Sequence, residues 1–425
     1  MNAILTRCDR FGPERIAGVQ PASLGYLTWN RVRGFTPPEK VIDIIRESGL
    51  VGKGGAGFPT HRKMRMLFDQ PATNKLLVLN GSEHEPGSFK DRHLLEHYPH
   101  TVLEGALILA YAVKASEVII AINESSAACI EHFRTALRAA QDASIDFGGI
   151  SVETRAVPDV YIVGEETALL EVLEGRPALP RKKPPYPIEK GVNGAPTLVQ
   201  NIETAAHLPF ILSAGVAAYR ALGANGEGVT LCTLGLEFQR PGVYEAPLGT
   251  PIREILEDWG GGLRDGSAIK TIQPGGPSSG FLASRDFDVP LQADALKQHR
   301  SALGCAAIRA YSVDTCMVNE ISKIMQFFAH ASCGQCPRCR METNMLDTIV
   351  RRVLTGGGNW QLLGQIDKLI ELAKGEGICT LIDMPVAPLK TGLALFPDEF
   401  RAHIEGKCLL CASQASTSGN ADRKQ

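Results

Sequence analysis

Between about residues 40 and 225 the sequence keeps switching between two hydrophobic periods, and this switching restricts the fold more than any single motif. Short bounded runs, KLLVLNG and EVIIAIN, are apolar almost throughout, as strands buried on both faces are. HTVLEGALILAYAV and AACIEHFRTALRAAQ, between and after them, carry apolar residues at helical spacing. Strands separated by helices need crossover connections, so the sheet is predicted to be parallel, with helices on its faces. The stretch RPALPRKKPPYPIEKG (176–191) is too rich in proline for a helix interior or a central strand and is predicted to be a loop.

The texture then changes twice. VTLCTLG and RPGVYEAPLG are strand-like runs about a turn, followed by the short helical pattern of REILEDW, which predicts a small α+β unit. From 301 onward DTCMVNEISKIMQFFAHASC and NWQLLGQIDKLIELAKGEG predict long helices and a bundle. After 406 the chain turns to Ser, Gly, Gln and Asn and is predicted to be disordered. The expected division is 1–227, 228–300, 301–405 and a tail, 406–425, and 425 residues suffice for that many cores.

With 44 basic against 46 acidic side chains, nothing favours a nucleic acid or a charged membrane surface as partner. The longest apolar stretch, GALILAYAVKASEVIIAI, is broken by Lys114, Ser116 and Glu117, which argues against membrane insertion. MNAILTRCDRFGPE lacks the apolar core of a secretion signal. The expectation is a soluble, cytoplasmic chain whose eleven cysteines serve as thiols or metal ligands rather than disulfides.

GLVGKGGAGFPT (49–60) contains five glycines. Bare backbone permits positive φ and lets a ligand reach the amide N–H groups. The pattern is neither a Walker A loop nor GxGxxG, so the residues alone leave a structural turn and a ligand platform both open. LNGSEHEPGSFKDRHLLEHYPH and YIVGEETALLEVLEGR add polar side chains at turns. Cys333, Cys336 and Cys339 fall within seven residues, with Cys379 much later. Three close cysteines and a remote fourth suit a [4Fe–4S] cluster; a four-cysteine zinc site is the other reading, although such sites usually draw pairs of ligands from two loops. Cys408 and Cys411 offer a redox pair, a second metal site or, by default, two idle thiols. Cys8, Cys129, Cys232, Cys305 and Cys316 stand isolated and are expected to be buried.

Taken with PTLVQNIET, SCGQCPRCR and GICTLIDMPVAPLKTGLALFPDEF in that order, these segments give the chain, over roughly residues 40–405, a plain resemblance. It resembles the NADH-binding flavoprotein subunit of respiratory complex I and its relatives in soluble NAD-linked formate dehydrogenases, hydrogenases and aldehyde oxidoreductases. The resemblance implies an α/β, Rossmann-like flavin and NADH domain, a ubiquitin-like (SLBB-type) α+β domain and a helical bundle carrying the cluster. It also implies that Gly52, Lys53, Gly54, Gly55 and Lys63 line a flavin, FMN in the family with FAD left open. Asn80 and Asn201 would hydrogen-bond it, Thr204 would lie beside it, and Tyr161, Gly164 and Glu165 would form its other wall. Phe58 and Tyr186 would stack on the adenine of NAD(H), with Glu83, Glu85, Glu166 and Lys183 around the rest of the dinucleotide.

The implied activity is hydride exchange between NAD(H) and flavin without a catalytic acid/base pair. Single electrons would pass through a cluster on Cys333, Cys336, Cys339 and Cys379 to or from iron–sulfur and catalytic partner subunits. Ser82, Met66, Tyr186, Gln200 and Pro337 depart from the family pattern, and the pocket departures favour a soluble dehydrogenase or aldehyde oxidoreductase complex over a respiratory one.

Overall fold

The structure is a computed structural model that describes residues 26–411. Cys8 and the tail beyond 411 lie outside the described residues.

Four parallel strands form the first sheet in the order β3-β2-β1-β4. They are β1 (Leu76–Gly81), β2 (Glu117–Asn123), β3 (Ser151–Val157) and β4 (Thr197–Asn201). The order reverses between β1 and β4, which opens a crevice at their carboxyl ends. The register brings Asn80 opposite Asn201, so both candidate asparagines stand at that crevice. The crossover helix Pro99–Val113 is buried on nearly every side, as its predominantly apolar sequence demands. Gly105 lets it lie directly on the helix Ile202–Ala206, because a Cβ there would collide with the Ala205 carbonyl.

The second sheet has the order β6-β5-β9-β7-β8. Its strands are β5 (Val229–Leu234), β6 (Gly242–Pro247), β7 (Ile269–Gln273), β8 (Leu282–Ala283) and β9 (Ala307–Ser312). β5 runs antiparallel to β6 and parallel to β9. β9, which follows residue 301, belongs to this sheet. Its partners β5 and β7 lie far back in the chain, and six residues of mixed polarity carry no local sign of that pairing.

The third unit packs the helices Met317–Ala331, Pro337–Leu354, Ile366–Ala373, Val386–Leu395 and Pro397–Ile404 around Ile321, Phe328, Leu346, Val350 and Phe400. The run NWQLLGQIDKLIELAKGEG, expected as one helix, is divided into Trp360–Leu363 and Ile366–Ala373, and Gly364, a weak helix former, stands at the break. Residues 406–411, expected within a disordered tail, instead set Cys408, Leu410 and Cys411 against this core. Apolar KCLLC outweighs the polar composition around it. Among the described residues no helix is long and apolar enough to cross a membrane.

Candidate functional site

The glycine-rich segment closes on itself. The Gly52 N–H donates to the Phe58 carbonyl at 2.8 Å and Thr60 to Leu50 at 3.1 Å, while Gly55 and Gly57 take φ of 105° and 62°, which L side chains adopt only with strain. The loop lies over the end of β4, with the Asn201 side chain 3.4 Å from where a Gly54 Cβ would stand. Thr204 Oγ1 accepts from the Lys53 N–H at 2.9 Å, so this hydroxyl anchors the loop. The Lys53 ammonium is buried and donates to the Val229 carbonyl at 2.9 Å, which ties the loop to the second sheet. Burial lowers its pKa. β5 thus supplies an acceptor that the sequence did not advertise.

Beneath the loop lies a buried charge network. Lys90 Nζ meets Asp91 at 2.7 Å, Glu203 at 3.1 Å and Asn201 Oδ1 at 3.2 Å. Asn201 Nδ2 donates to Asp91 at 2.6 Å and to the Asn80 carbonyl at 3.3 Å. Burial alone would discharge Lys90, but Asp91 and Glu203 outweigh it and raise the lysine pKa. These three charged residues, which fix Asn201, were missed from sequence. The available signal was the Lys90-Asp91 pair just ahead of the buried Leu94-Leu95.

Asn80 donates to the Gly164 carbonyl at 3.3 Å, joining β1 to the turn Tyr161–Gly164. Glu165 caps the next helix, accepting from the Thr167 and Ala168 N–H groups at 2.8 and 2.9 Å, and its other oxygen accepts from Lys183 at 3.0 Å. Glu166 is clamped by Lys63 and Lys183, each at 2.7 Å. Burial, the largest influence, would raise its pKa, yet the two ammonium groups together lower it. The Glu83 oxygens accept from the Ser88 hydroxyl, the Asp91 N–H and the Arg92 N–H at 2.8, 2.9 and 2.9 Å, so it braces the start of the helix Lys90–His97. Phe58 and Tyr186 are exposed, at 41% and 47%, as rings awaiting a stacking partner would be.

Glu85 accepts from the Tyr161 hydroxyl at 2.9 Å, while its Oε1 is buried without a hydrogen-bond partner. Burial pushes its pKa up to about 7. The folded state therefore holds a proton that the unfolded chain releases near its ordinary value. The resulting stabilisation is complete below about pH 4.5 and is lost as pH rises through about 7. Glu85→Gln is expected to flatten this part of the melting-temperature profile; an unchanged slope between pH 5 and 7 would show that the carboxyl is already ionised.

The four cysteines, with Ile162, Pro180 and Ile378 among their neighbours, line a cleft of about 290 Å³. Gly334, at φ 79°, turns the chain after Cys333. Cys336 immediately precedes the helix Pro337–Leu354, with Pro337 in its first turn, a position that suits proline. This accounts for the displaced proline. The Ile378 N–H donates to Cys336 Sγ at 3.3 Å. One zinc ion would want sulfurs about 3.8 Å apart. The one group of three or more such ligands within 4.8 Å of one another, among the described residues, does not include these cysteines, so their spacing suits a larger cluster.

The residues fit a flavin as well. Side-chain positions at Gly57 and Gly164 meet no atom within 4 Å, and Gln200, whose Oε1 lies 3.6 Å from the Gly52 Cβ position, has a buried Nε2 without a partner.

Comparison with known proteins agrees with this geometry. Residues 45–209 match the Nuo51 FMN-binding domain, 237–282 the SLBB domain, and 319–403 the NADH-ubiquinone oxidoreductase-F iron-sulfur binding region. The NADH-quinone oxidoreductase F-subunit of Mycobacterium tuberculosis (strain H37Rv) is 37% identical over 404 residues, covering 90% of each chain. NADP-reducing hydrogenase subunit HndC of Solidesulfovibrio fructosivorans is 33% identical over 413 residues, covering 95% of this chain and 84% of the relative. A crystal structure of an NAD+-reducing [NiFe]-hydrogenase in the H2-reduced state superposes with a TM-score of 0.83 at 26% identity, covering 94% of this chain and 70% of that one. The crevice between β1 and β4, the four-cysteine cleft beside it and these matches lead to one conclusion: the chain belongs to the NADH-quinone oxidoreductase F-subunit family.

Proposed function

We propose that the chain exchanges hydride between NAD(H) and FMN held in the crevice between β1 and β4, and passes single electrons through a [4Fe–4S] cluster on Cys333, Cys336, Cys339 and Cys379. When bound, these groups supply the chemistry: the flavin takes a hydride and the cluster carries electrons one at a time. The observation that carries the reading is the turn Tyr161–Gly164. Gly164 receives the hydrogen bond of Asn80 at the crevice, and Ile162, two residues earlier, lines the cysteine cleft.

In this reading Gly52, Gly54, Gly55 and Gly164 give a flat ring close access to backbone, and Asn80 and Asn201 shape the polar floor at the strand ends. Phe58 and Tyr186 provide exposed faces for the adenine. Lys63 and Lys183 supply positive charge, which Glu166 holds in position. The setting is a multisubunit oxidoreductase; Ser82, Met66 and Gln200 support a soluble dehydrogenase complex, with iron–sulfur and catalytic subunits as partners. The purified chain is expected to be yellow-brown, with a flavin band that bleaches on anaerobic addition of NADH. A chain that retains iron but no flavin would sink the proposal.

The relatives are named for both coenzymes, and Glu166 is the residue to probe. A carboxylate between two lysines offsets the positive charge that a 2′-phosphate would seek. Glu166→Ala is expected to relax the preference for NADH over NADPH by about tenfold, roughly 1.4 kcal/mol. Equal discrimination by wild type and variant would remove Glu166 from coenzyme selection.

A further inference from the structure

We propose that Cys316, His403, Cys408 and Cys411 bind a structural zinc ion, a second metal site independent of the four-cysteine cleft and of the functional reading above. Their ligand atoms all lie within 4.8 Å of one another. His403 Nε2 stands 3.2 Å from Cys316 Sγ and 3.6 Å from Cys411 Sγ. A tetrahedral zinc with bonds of about 2.3 Å to sulfur and about 2.0 Å to nitrogen needs donor separations of about 3.5–3.8 Å, so small side-chain movements close the shell.

The imidazole is already oriented. Its Nδ1 lies 3.0 Å from the Leu354 carbonyl, an acceptor that fixes the proton on Nδ1 and leaves the Nε2 lone pair facing the thiols. A ligating histidine is held this way by its outer partner. Three thiols and one imidazole make a complete soft donor set that selects zinc over magnesium or calcium and leaves no position open for substrate. On binding, the three thiols release their protons and the metal takes their sulfur lone pairs.

The site is remote from the cleft. Cys339 lies in the first turn of the helix Pro337–Leu354 and Leu354 is its last residue; the helix rise between them is about 22 Å. Cys316 caps the helix Met317–Ala331, and His403 belongs to the helix Pro397–Ile404. The metal thus ties the entry of the helical unit to its exit and to the segment carrying Cys408 and Cys411.

The test is metal analysis of the full-length chain, purified anaerobically without chelator. One zinc per chain is expected beside the iron, with a zinc-edge absorption spectrum showing three sulfurs and one nitrogen. Cys408→Ser and Cys411→Ser should each lower zinc below about a tenth per chain with iron unchanged, and Cys336→Ala should lower iron with zinc unchanged. Zinc below a tenth in wild type, iron in its place, zinc retained in both tail variants, or iron lost together with zinc would overturn the proposal. Should the tail variants fail to fold, the zinc-edge spectrum of wild type decides, and a shell of sulfur alone or one containing oxygen would overturn it.

Discussion

Replacing Lys90 with methionine is expected to destabilise the first unit by roughly 3–5 kcal/mol, because Asp91 and Glu203 would be left buried without their cation. The side chain is almost fully enclosed, so water cannot take over the lost interactions. Glu203 depends on it most. Burial would raise that carboxylate's pKa, but Lys90 and His207 hold it well below the ordinary value. In a unit of this size the melting temperature should fall by roughly 10 °C. Neutralising the acids as well, in Lys90→Met with Asp91→Asn and Glu203→Gln, should recover much of the loss, since a buried network is costly chiefly when half of it is missing. A single variant that melts within about a degree of wild type would show that the network is not charged as described. On the proposed function, flavin retention would report on the same residues, because Asp91 and Lys90 hold both ends of the Asn201 amide.

Cys336→Ala is expected to abolish delivery of electrons to a partner while sparing the reaction with NADH. Removing one of four thiolates should cost most of about four irons per chain. Bleaching of the flavin by NADH should stay within about twofold of wild type, because hydride transfer needs only the two docked rings. Reduction of an iron–sulfur partner protein should fall by about two orders of magnitude. Rapid-mixing absorbance separates the two steps, and a melting curve checks that the helical unit is still folded. Partner reduction at the wild-type rate would take the cysteine cleft off the electron path.

How much of this was legible in the sequence depended on the range over which each residue acts. β1 and β2 could be read because LLVLN and EVIIAI carry their own boundaries. β9 could not, since its partners lie far back in the chain. The same holds for side chains. Lys90 and Glu203 meet across 113 residues of chain, and Cys316 looked isolated because His403 stands 87 residues away. Glu83 and Glu165 are hard to read for a different reason. An acidic residue ahead of a helix suits both a ligand and a cap, and only the geometry shows main-chain N–H groups donating to both carboxylates. The glycine loop and the Cys333, Cys336 and Cys339 spacing stand out in the sequence because each is a run of near neighbours, whereas Thr204 and Val229, which hold the loop, come from far along the chain.

Glu85 has a consequence for recombining these units. Its carboxylate, which belongs to the first unit, lies against the backbone of Gly276 in the second, where φ is 85° and any Cβ would strike Oε1. Its partner Tyr161 packs edge-on against Phe327 of the third unit at 4.9 Å. Glu85 and Tyr161 together therefore link the first unit to the other two, so a chimera that imports the second unit from a relative needs glycine at 276.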